Sequence, residues 1–174
     1  FHELTIQLAL TELAAGNYSD GFRHYEARWL TGELKPRQMV TPKWDGSDLT
    51  GKTILVLPEQ GFGDAVTFAR FLPVLRRYNP ARVQLLCEKP LLRLMENVEG
   101  ADWVGLQPDQ PYDVWTNIMD LPPLHFDAGA TVPPPTRLTV PDDSRARARA
   151  ITAPHKGKFK VDPLLVSFGA GLRF

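Results

Sequence analysis

A short acidic and glycine-rich motif follows a strongly apolar stretch in the first half of the chain. The motif runs from Glu59 to Asp64 and reads Glu-Gln-Gly-Phe-Gly-Asp. It comes directly after the apolar run 53–57 and opens a helical pattern over 64–78. In an open parallel sheet, ligands bind at the carboxyl ends of the strands, and glycines there let a ligand approach the backbone. The motif is therefore the first candidate for a functional site.

Asp64 stands in the first turn of the predicted helix, where its carboxylate would face that crevice. A carboxylate in this place can act as a general base on a hydroxyl group, or it can hydrogen-bond a sugar. The same spacing also suits a tight turn in which Asp64 only caps the helix. Both interpretations stay open at this point.

The glycine spacing matches a dinucleotide-binding loop only in part. That pattern needs a third glycine three residues after Gly63, and Val66 occupies the position. Glu88, at the end of the next predicted strand, has the spacing of a ribose-binding carboxylate. An NAD-dependent enzyme is thus a minor alternative, and the main interpretation includes neither a cofactor nor a metal ion.

The histidines and the single cysteine do not form a metal-binding pattern. His125 follows two prolines in a predicted loop beyond the fourth strand. It is a candidate acid, base or substrate contact near the same sheet edge, with a solvated loop residue as the alternative. Cys87 ends a predicted strand without a neighbouring base and is interpreted as a small buried apolar residue.

Composition excludes several classes of protein. The chain has 174 residues, 43% of them hydrophobic, which is enough for a folded core. The formal net charge is zero, which argues against a general nucleic-acid binder. No apolar run reaches the roughly 18 residues of a membrane span. The first residues Phe1 to Leu4 do not resemble a signal peptide, so we expect a cytoplasmic chain that was cut from a longer one.

Periodicity and punctuation predict helices first and an alternating pattern afterwards. Residues 2–31 indicate two helices, the second with an aromatic stripe formed by Phe22, Tyr25 and Trp29. Residues 36–51 predict a linker in which Trp44 packs against the rest. Strands are predicted at 53–57, 82–87, 101–106 and 113–118, with helices at 64–78 and 90–97 between them. This order is typical of right-handed βαβ units and a parallel sheet.

The last third of the chain is rich in proline. Pro73 should kink or shorten the helix 64–78. Residues 119–141 predict a proline-rich connection, followed by a short helix over 142–150 and a final strand over 159–168. Asp113 and Asp120 flank the fourth strand and are interpreted as surface caps.

Residues near the first helical turn resemble the tetratricopeptide repeat. Gly16-Asn17-Tyr18, Gly21 and Tyr25 follow that repeat's glycine, tyrosine, small and aromatic positions. Arg28 departs from it, because the family has a small residue there. Such a repeat normally stacks in an array, since one copy cannot bury its own face.

A longer stretch resembles bacterial tetratricopeptide-repeat proteins fused to a glycosyltransferase domain, which is itself similar to the heptosyltransferase family (family 9). The matching pieces are Pro42 to Gly46, Leu49, Gly51 to Leu55, Glu59 to Asp64 and Phe68 to Pro73. This resemblance implies a GT-B fold with two Rossmann-like halves. The chain would supply only the first, acceptor-side half, and its tail from Asp162 departs from the family pattern.

The sequence therefore predicts an α/β fold with a Rossmann-like parallel sheet, preceded by a TPR-like hairpin. The expected divisions are a hairpin over 1–35, a linker over 36–51 and a truncated glycosyltransferase domain over 52–174. By resemblance, Asp64 is the catalytic base for a hydroxyl acceptor (glycan, lipid or protein). Gln60, Gly61, Gly63 and His125 are the expected substrate contacts.

The donor would be a nucleotide sugar held by the missing half, so we expect the fragment itself to be inactive. The alternative is a non-catalytic interaction module in which the α/β part is a degenerate platform. Such a module would bind a protein partner or a second copy through the hairpin, and an exposed aromatic face on the hairpin would favour the second of these.

Overall fold

Four parallel strands form the centre of the computed structural model, which describes residues 1–32 and 34–152. The strands lie in the order β3-β2-β1-β4, and each neighbouring pair is parallel. Their bounds are β1 Thr53–Leu57, β2 Arg82–Leu86, β3 Trp103–Gly105 and β4 Val114–Asn117. All four predicted strands are confirmed. The strand predicted over 159–168 and the divergent tail from Asp162 lie outside the described residues.

Helices surround this sheet and precede it. The α-helices are α1 His2–Ala14, α2 Tyr18–Tyr25, α3 Phe62–Phe68, α4 Leu92–Met95, α5 Leu121–Phe126 and α6 Asp142–Thr152. Three 3₁₀ segments continue α2, α3 and β4, namely Glu26–Leu30, Ala69–Tyr78 and Ile118–Asp120. The arrangement is an α/β fold. No helix of the described residues is long and apolar enough to cross a bilayer.

Proline decides the character of two of these elements. The helix predicted over 64–78 is an α-helix only to Phe68 and then tightens to a 3₁₀ segment. Pro73 has no N–H to donate to the carbonyl of Ala69, so the α-helical pattern cannot continue there. The proline-rich connection predicted over 119–141 also contains a helix that was not predicted. This helix is α5, and it can form because Pro122 and Pro123 occupy its first turn, where a helix needs no N–H donors.

The hairpin of α1 and α2 packs closely and then joins the main core. A Cβ on Gly21 would meet the Leu13 side chain at 2.8 Å, so only glycine allows this approach of the two helices. Phe22 is buried and contacts the rings of Phe68, Phe71 and Phe126 at centroid distances of 6.0, 6.4 and 5.7 Å. The aromatic stripe of the hairpin therefore packs against the rest of the chain at Phe22. It is not the exposed aromatic face that would favour pairing with a second copy.

The linker also belongs to the fold. The Trp44 N–H donates to the carbonyl of Trp115 at 2.7 Å, so the linker runs beside β4 at the edge of the sheet. Trp44 is buried, as predicted, with its ring edge-on to Tyr78 at 4.8 Å. Cys87 is likewise buried in the core, as predicted. Burial raises the pKa of its thiol to about 11, with a smaller contribution from the charge of Glu88.

Candidate functional site

The glycine-rich motif forms the turn between β1 and α3 at the carboxyl end of the first strand. Gly61 stands at the N-cap in an extended conformation, and its N–H donates to Asp64 Oδ2 at 3.0 Å. Asp64 therefore closes the turn, but from the third position of the helix: the N-cap is Gly61 and not Asp64, as the capping interpretation had it. Its side chain is nevertheless partly exposed, and within residues 1–32 and 34–152 no hydrogen bond or ion pair engages Oδ1. One carboxylate oxygen can thus meet a ligand while the other holds the loop.

The two glycines are not required by internal packing. A Cβ on Gly63 would meet nothing within 4 Å, and one on Gly61 would make an ordinary contact with Asp64 at 3.5 Å. Both residues are exposed. The loop therefore presents bare backbone to solvent at the carboxyl edge of a parallel sheet, where ligands of such sheets bind.

Gln60 is the strained residue of this loop. Its φ is +62°, in the left-handed region that non-glycine residues rarely adopt. Its Nε2 donates to the Tyr25 hydroxyl at 3.2 Å, so the hairpin contacts the loop directly. The strained conformation is held by a residue of α2, which links the hairpin to the candidate site.

A largely buried ionic cluster begins at the first residue of the loop and joins four parts of the chain: the hairpin, the linker, the loop after β1 and the segment after β4. Arg28 Nε donates to Glu59 Oε1 at 2.7 Å, and its Nη2 donates to Asp120 Oδ1 at 2.6 Å. Lys43 Nζ is 3.0 Å from Asp120 Oδ2, and Glu26 accepts from Arg28 Nη1 at 2.9 Å. The Arg28 and Glu59 side chains are only 4% and 3% exposed. We call Arg28, Glu59, Asp120 and Lys43 the ionic cluster.

Mutual pairing keeps this cluster charged. Burial lowers the pKa of Arg28, but the hydrogen bond and charge of Glu59 outweigh it, with help from Glu26 and Asp120, and the pKa rises above its ordinary value. Burial raises the pKa of Asp120. The positive charges of Lys43 and Arg28 lower that pKa by more than burial raises it, so the pKa of Asp120 ends below its ordinary value. The Asp120 carboxylate is therefore ionised at neutral pH and engaged by cations, which leaves it poorly suited to take a proton.

Asp120 also caps the segment after β4, as predicted, but it is not a surface residue. Its Oδ2 accepts from the backbone N–H and from the side-chain amide of Asn117, each at 3.1 Å. The Asp120 side chain is 12% exposed. Asp113 accepts from the backbone N–H of Thr53 at 2.8 Å and so ties β4 to the start of β1. Both aspartates position strands.

His125 lies elsewhere and not in a loop, so that prediction is corrected. It is in the last turn of α5, with its ring edge-on to Phe71 at 5.5 Å. Its Nε2 donates to the carbonyl of Thr131 at 2.7 Å. In the described part of the chain, no hydrogen bond or ion pair joins it to the Glu59–Asp64 loop. The described residues also contain no group of side chains that could hold a metal ion.

Sequence reasoning missed the ionic cluster although its members carried signals. Arg28 stands where the repeat pattern has a small residue, and the structure shows why: its guanidinium reaches the sheet edge. Glu59 opens the glycine-rich motif, yet the apolar context of β1 already indicated burial. Arg28 is a charged residue where the repeat pattern has a small one, and Glu59 is an acidic residue to which no role was given. Because charged residues are seldom buried unless they are paired, the two together indicate a buried ion pair.

Comparison with known proteins shows a similarity that covers part of the chain. No family model matches the chain, and no solved structure matches it. The chain is similar to "Protein FlbA" of Caulobacter vibrioides, with 38% identity over 63 residues. The match covers 35% of this chain and 11% of FlbA, so the chain spans only a small part of that relative's length.

Proposed function

We propose that this chain is the acceptor-side half of a glycosyltransferase resembling the heptosyltransferases, with a TPR-like hairpin in front of it. The parent protein would transfer a sugar from a nucleotide donor to a hydroxyl acceptor, and the donor would bind in the other half. The single observation that carries the proposal is the partly exposed Asp64 carboxylate on a bare glycine loop, at the carboxyl end of β1 in a parallel sheet.

Asp64 would act as the general base. The acceptor oxygen attacks the anomeric carbon, the bond from that carbon to the nucleotide diphosphate breaks, and the acceptor proton passes to the carboxylate. The geometry suits this role because Oδ2 is anchored by the Gly61 N–H, which fixes the direction of Oδ1. Asp120 is the weaker candidate base on the same edge, since Lys43 and Arg28 already engage it.

The neighbouring residues would bind the acceptor. Gly61 and Gly63 leave room for a sugar or other hydroxyl compound to approach the backbone. Gln60 would contribute a side-chain amide, oriented by its bond to the Tyr25 hydroxyl. His125 is not part of this proposal, because in the described part of the chain it bonds to the carbonyl of Thr131 and not to the Glu59–Asp64 loop.

The test uses the full-length parent protein and measures release of nucleotide diphosphate from a nucleotide sugar. Asp64→Asn keeps an oxygen acceptor for the Gly61 N–H but cannot take up the proton. We expect it to lower kcat by about 10²- to 10⁴-fold with the fold intact. Asp142→Asn, an exposed aspartate at the start of α6, is the matched control and should retain activity.

Two results would contradict the assignment. Unchanged turnover in Asp64→Asn would remove the proposed base. Micromolar binding of UDP-, GDP- or ADP-sugars to the 174-residue chain in a calorimeter, retained when Arg77 and Arg137 are both changed to alanine, would contradict the placement of the donor site in the other half.

The outer face of α1 favours a second candidate function, a non-catalytic module that binds a protein partner or a second copy of this chain. Leu4 and Leu8 are one helical turn apart and are 71% and 48% exposed. A parent protein that transfers no sugar, with or without Asp64, would support this alternative. Loss of complex formation in a Leu4→Ser, Leu8→Ser variant would support it further.

A further inference from the structure

A second concave region lies on the helical side of the chain. A cavity of about 380 Å³ lies between the 3₁₀ segment Ala69–Tyr78 and the proline-rich stretch Pro133–Arg137. His125 and Glu99 also line it. Its volume is within the range of about 300–1,000 Å³ found for small-molecule sites. We call this region the arginine cleft.

The charges of the arginine cleft are unbalanced. Arg70, Arg77 and Arg137 line it against a single carboxylate, Glu99. Arg77 and Arg137 are exposed, and neither makes an ion pair within residues 1–32 and 34–152. Three guanidinium groups around one cavity repel each other, and an anion in the cavity relieves that repulsion.

The walls of the cleft are held in place independently of any ligand. Arg70 Nε donates to the carbonyl of Thr67 at 3.0 Å, and Arg70 Nη1 donates to the carbonyl of Pro133 at 3.4 Å. The His125 bond to the Thr131 carbonyl fixes the chain just before the three prolines. Pro133, Pro134 and Pro135 restrict their own backbone. Arg70 and the backbone walls of the cleft are thus preorganised, which lowers the entropic cost of binding.

We propose that the arginine cleft binds a small molecule through a phosphate monoester or diphosphate group. Guanidinium forks match the oxygen geometry of phosphate and bind it in a bidentate manner. A phosphate dianion also balances the excess of two positive charges that remains after Glu99 is counted. Pro73 and Val74 give the cavity apolar lining for the remainder of the molecule.

This site is distinct from the proposed acceptor site. No residue of the Glu59–Asp64 loop lines the cavity. The two proposals therefore stand or fall separately, and binding can be measured without any enzymatic turnover.

Calorimetry of the 174-residue chain with pyrophosphate at low salt tests the inference. We expect pyrophosphate to bind at one site per chain. The Arg77→Ala variant and the Arg137→Ala variant should each bind it about tenfold or more weakly than the unmodified chain. Arg145→Ala removes the same charge from an exposed position on α6 outside the cleft, and it should bind within twofold of the unmodified chain. Circular dichroism of each variant checks that it is folded.

A second arm separates a soluble phosphate from a lipid headgroup of the same chemistry. Phosphatidylcholine vesicles with and without phosphatidic acid are sedimented with the chain. Binding in either arm that depends on Arg77 and Arg137 supports the site and names the source of the phosphate. Binding in neither arm overturns the proposal, and so does binding that Arg145→Ala weakens as much as Arg77→Ala.

Discussion

Two places in this molecule hold cationic side chains close to carboxylates, and they differ in whether the chain itself neutralises the positive charge. Arg28 is 4% exposed and bonds to Glu59, Asp120 and Glu26. Arg77 and Arg137 are exposed in the arginine cleft and make no ion pair in the described ranges. In the ionic cluster, each cation faces carboxylates of the chain itself. In the arginine cleft, three guanidinium groups face one carboxylate, and the remaining charge is open to a ligand.

The difference separates a structural role from a binding role. A buried guanidinium must be paired internally, because an unpaired charge in the interior costs several kcal/mol. An exposed one is solvated by water and can exchange that water for an anion at little cost to the fold. Arg28 therefore belongs to the packing of the hairpin on the sheet, and Arg77 belongs to the chemistry of the surface. Mutations of Arg28 should therefore lower the stability of the fold, and mutations of Arg77 should lower the affinity for an anion.

The largest expected effect is on stability, from Arg28→Ala. The change leaves Glu59 and Asp120 buried with one cation fewer, and we expect it to lower the free energy of unfolding by about 3–5 kcal/mol. Urea denaturation followed by circular dichroism measures the loss. The unfolding free energy of Arg28→Lys should lie between those of the unmodified chain and Arg28→Ala. An ammonium group keeps the charge, but it cannot bond to both carboxylates as the planar guanidinium does.

Arg23→Ala is the matched control on the same hairpin. Arg23 is 59% exposed and pairs with Asp20 across one helical turn. Its loss should cost less than about 1 kcal/mol. Equal losses for Arg28→Ala and Arg23→Ala would show that the ionic cluster does not hold the hairpin, and the contrast between the two regions would fail.

The ionic cluster also shows where prediction from sequence stops. The strands could be predicted because apolar runs such as Thr53–Leu57 are local signals bounded by turn residues. The cap formed by Asp64 is local too, since it spans three positions. Arg28 instead bonds to residues 31 and 92 positions later, and no local pattern contains that pairing. His125 was misplaced for a related reason, because prolines that stop a helix in its interior are favoured in its first turn.

The next effect in size is the pH dependence carried by Asp120. Lys43 and Arg28 outweigh burial and hold its pKa in the folded chain below the value of about 3.9 for an unfolded aspartate. Its contribution to stability is therefore complete above that unfolded value, and it is lost as the pH falls through the lower folded pKa. Asp120→Asn should show a shallower fall of the unfolding free energy on acidification than the unmodified chain.

Asp143 provides the comparison for this measurement. A hydrogen bond from Arg93 lowers its pKa as well, but its side chain is 53% exposed. Added salt should remove most of the difference between Asp143→Asn and the unmodified chain, because exposed charges are screened. The difference for Asp120→Asn should persist in salt. If salt abolished both differences equally, Asp120 would behave as a surface residue.

The smallest expected effect belongs to the arginine cleft itself. Arg77→Ala and Arg137→Ala remove exposed charges that make no ion pair in the described ranges, so each should change the free energy of unfolding by no more than about 0.5 kcal/mol. The sign should be stabilising at low salt, since each variant relieves repulsion among like charges. Adding pyrophosphate should reverse the order, because a ligand that binds the folded state raises the stability of the unmodified chain above that of either variant. A large loss of unfolding free energy in the absence of ligand would mean that these arginines support the fold. The contrast between the internally paired Arg28 and the exposed arginines of the cleft would then be wrong.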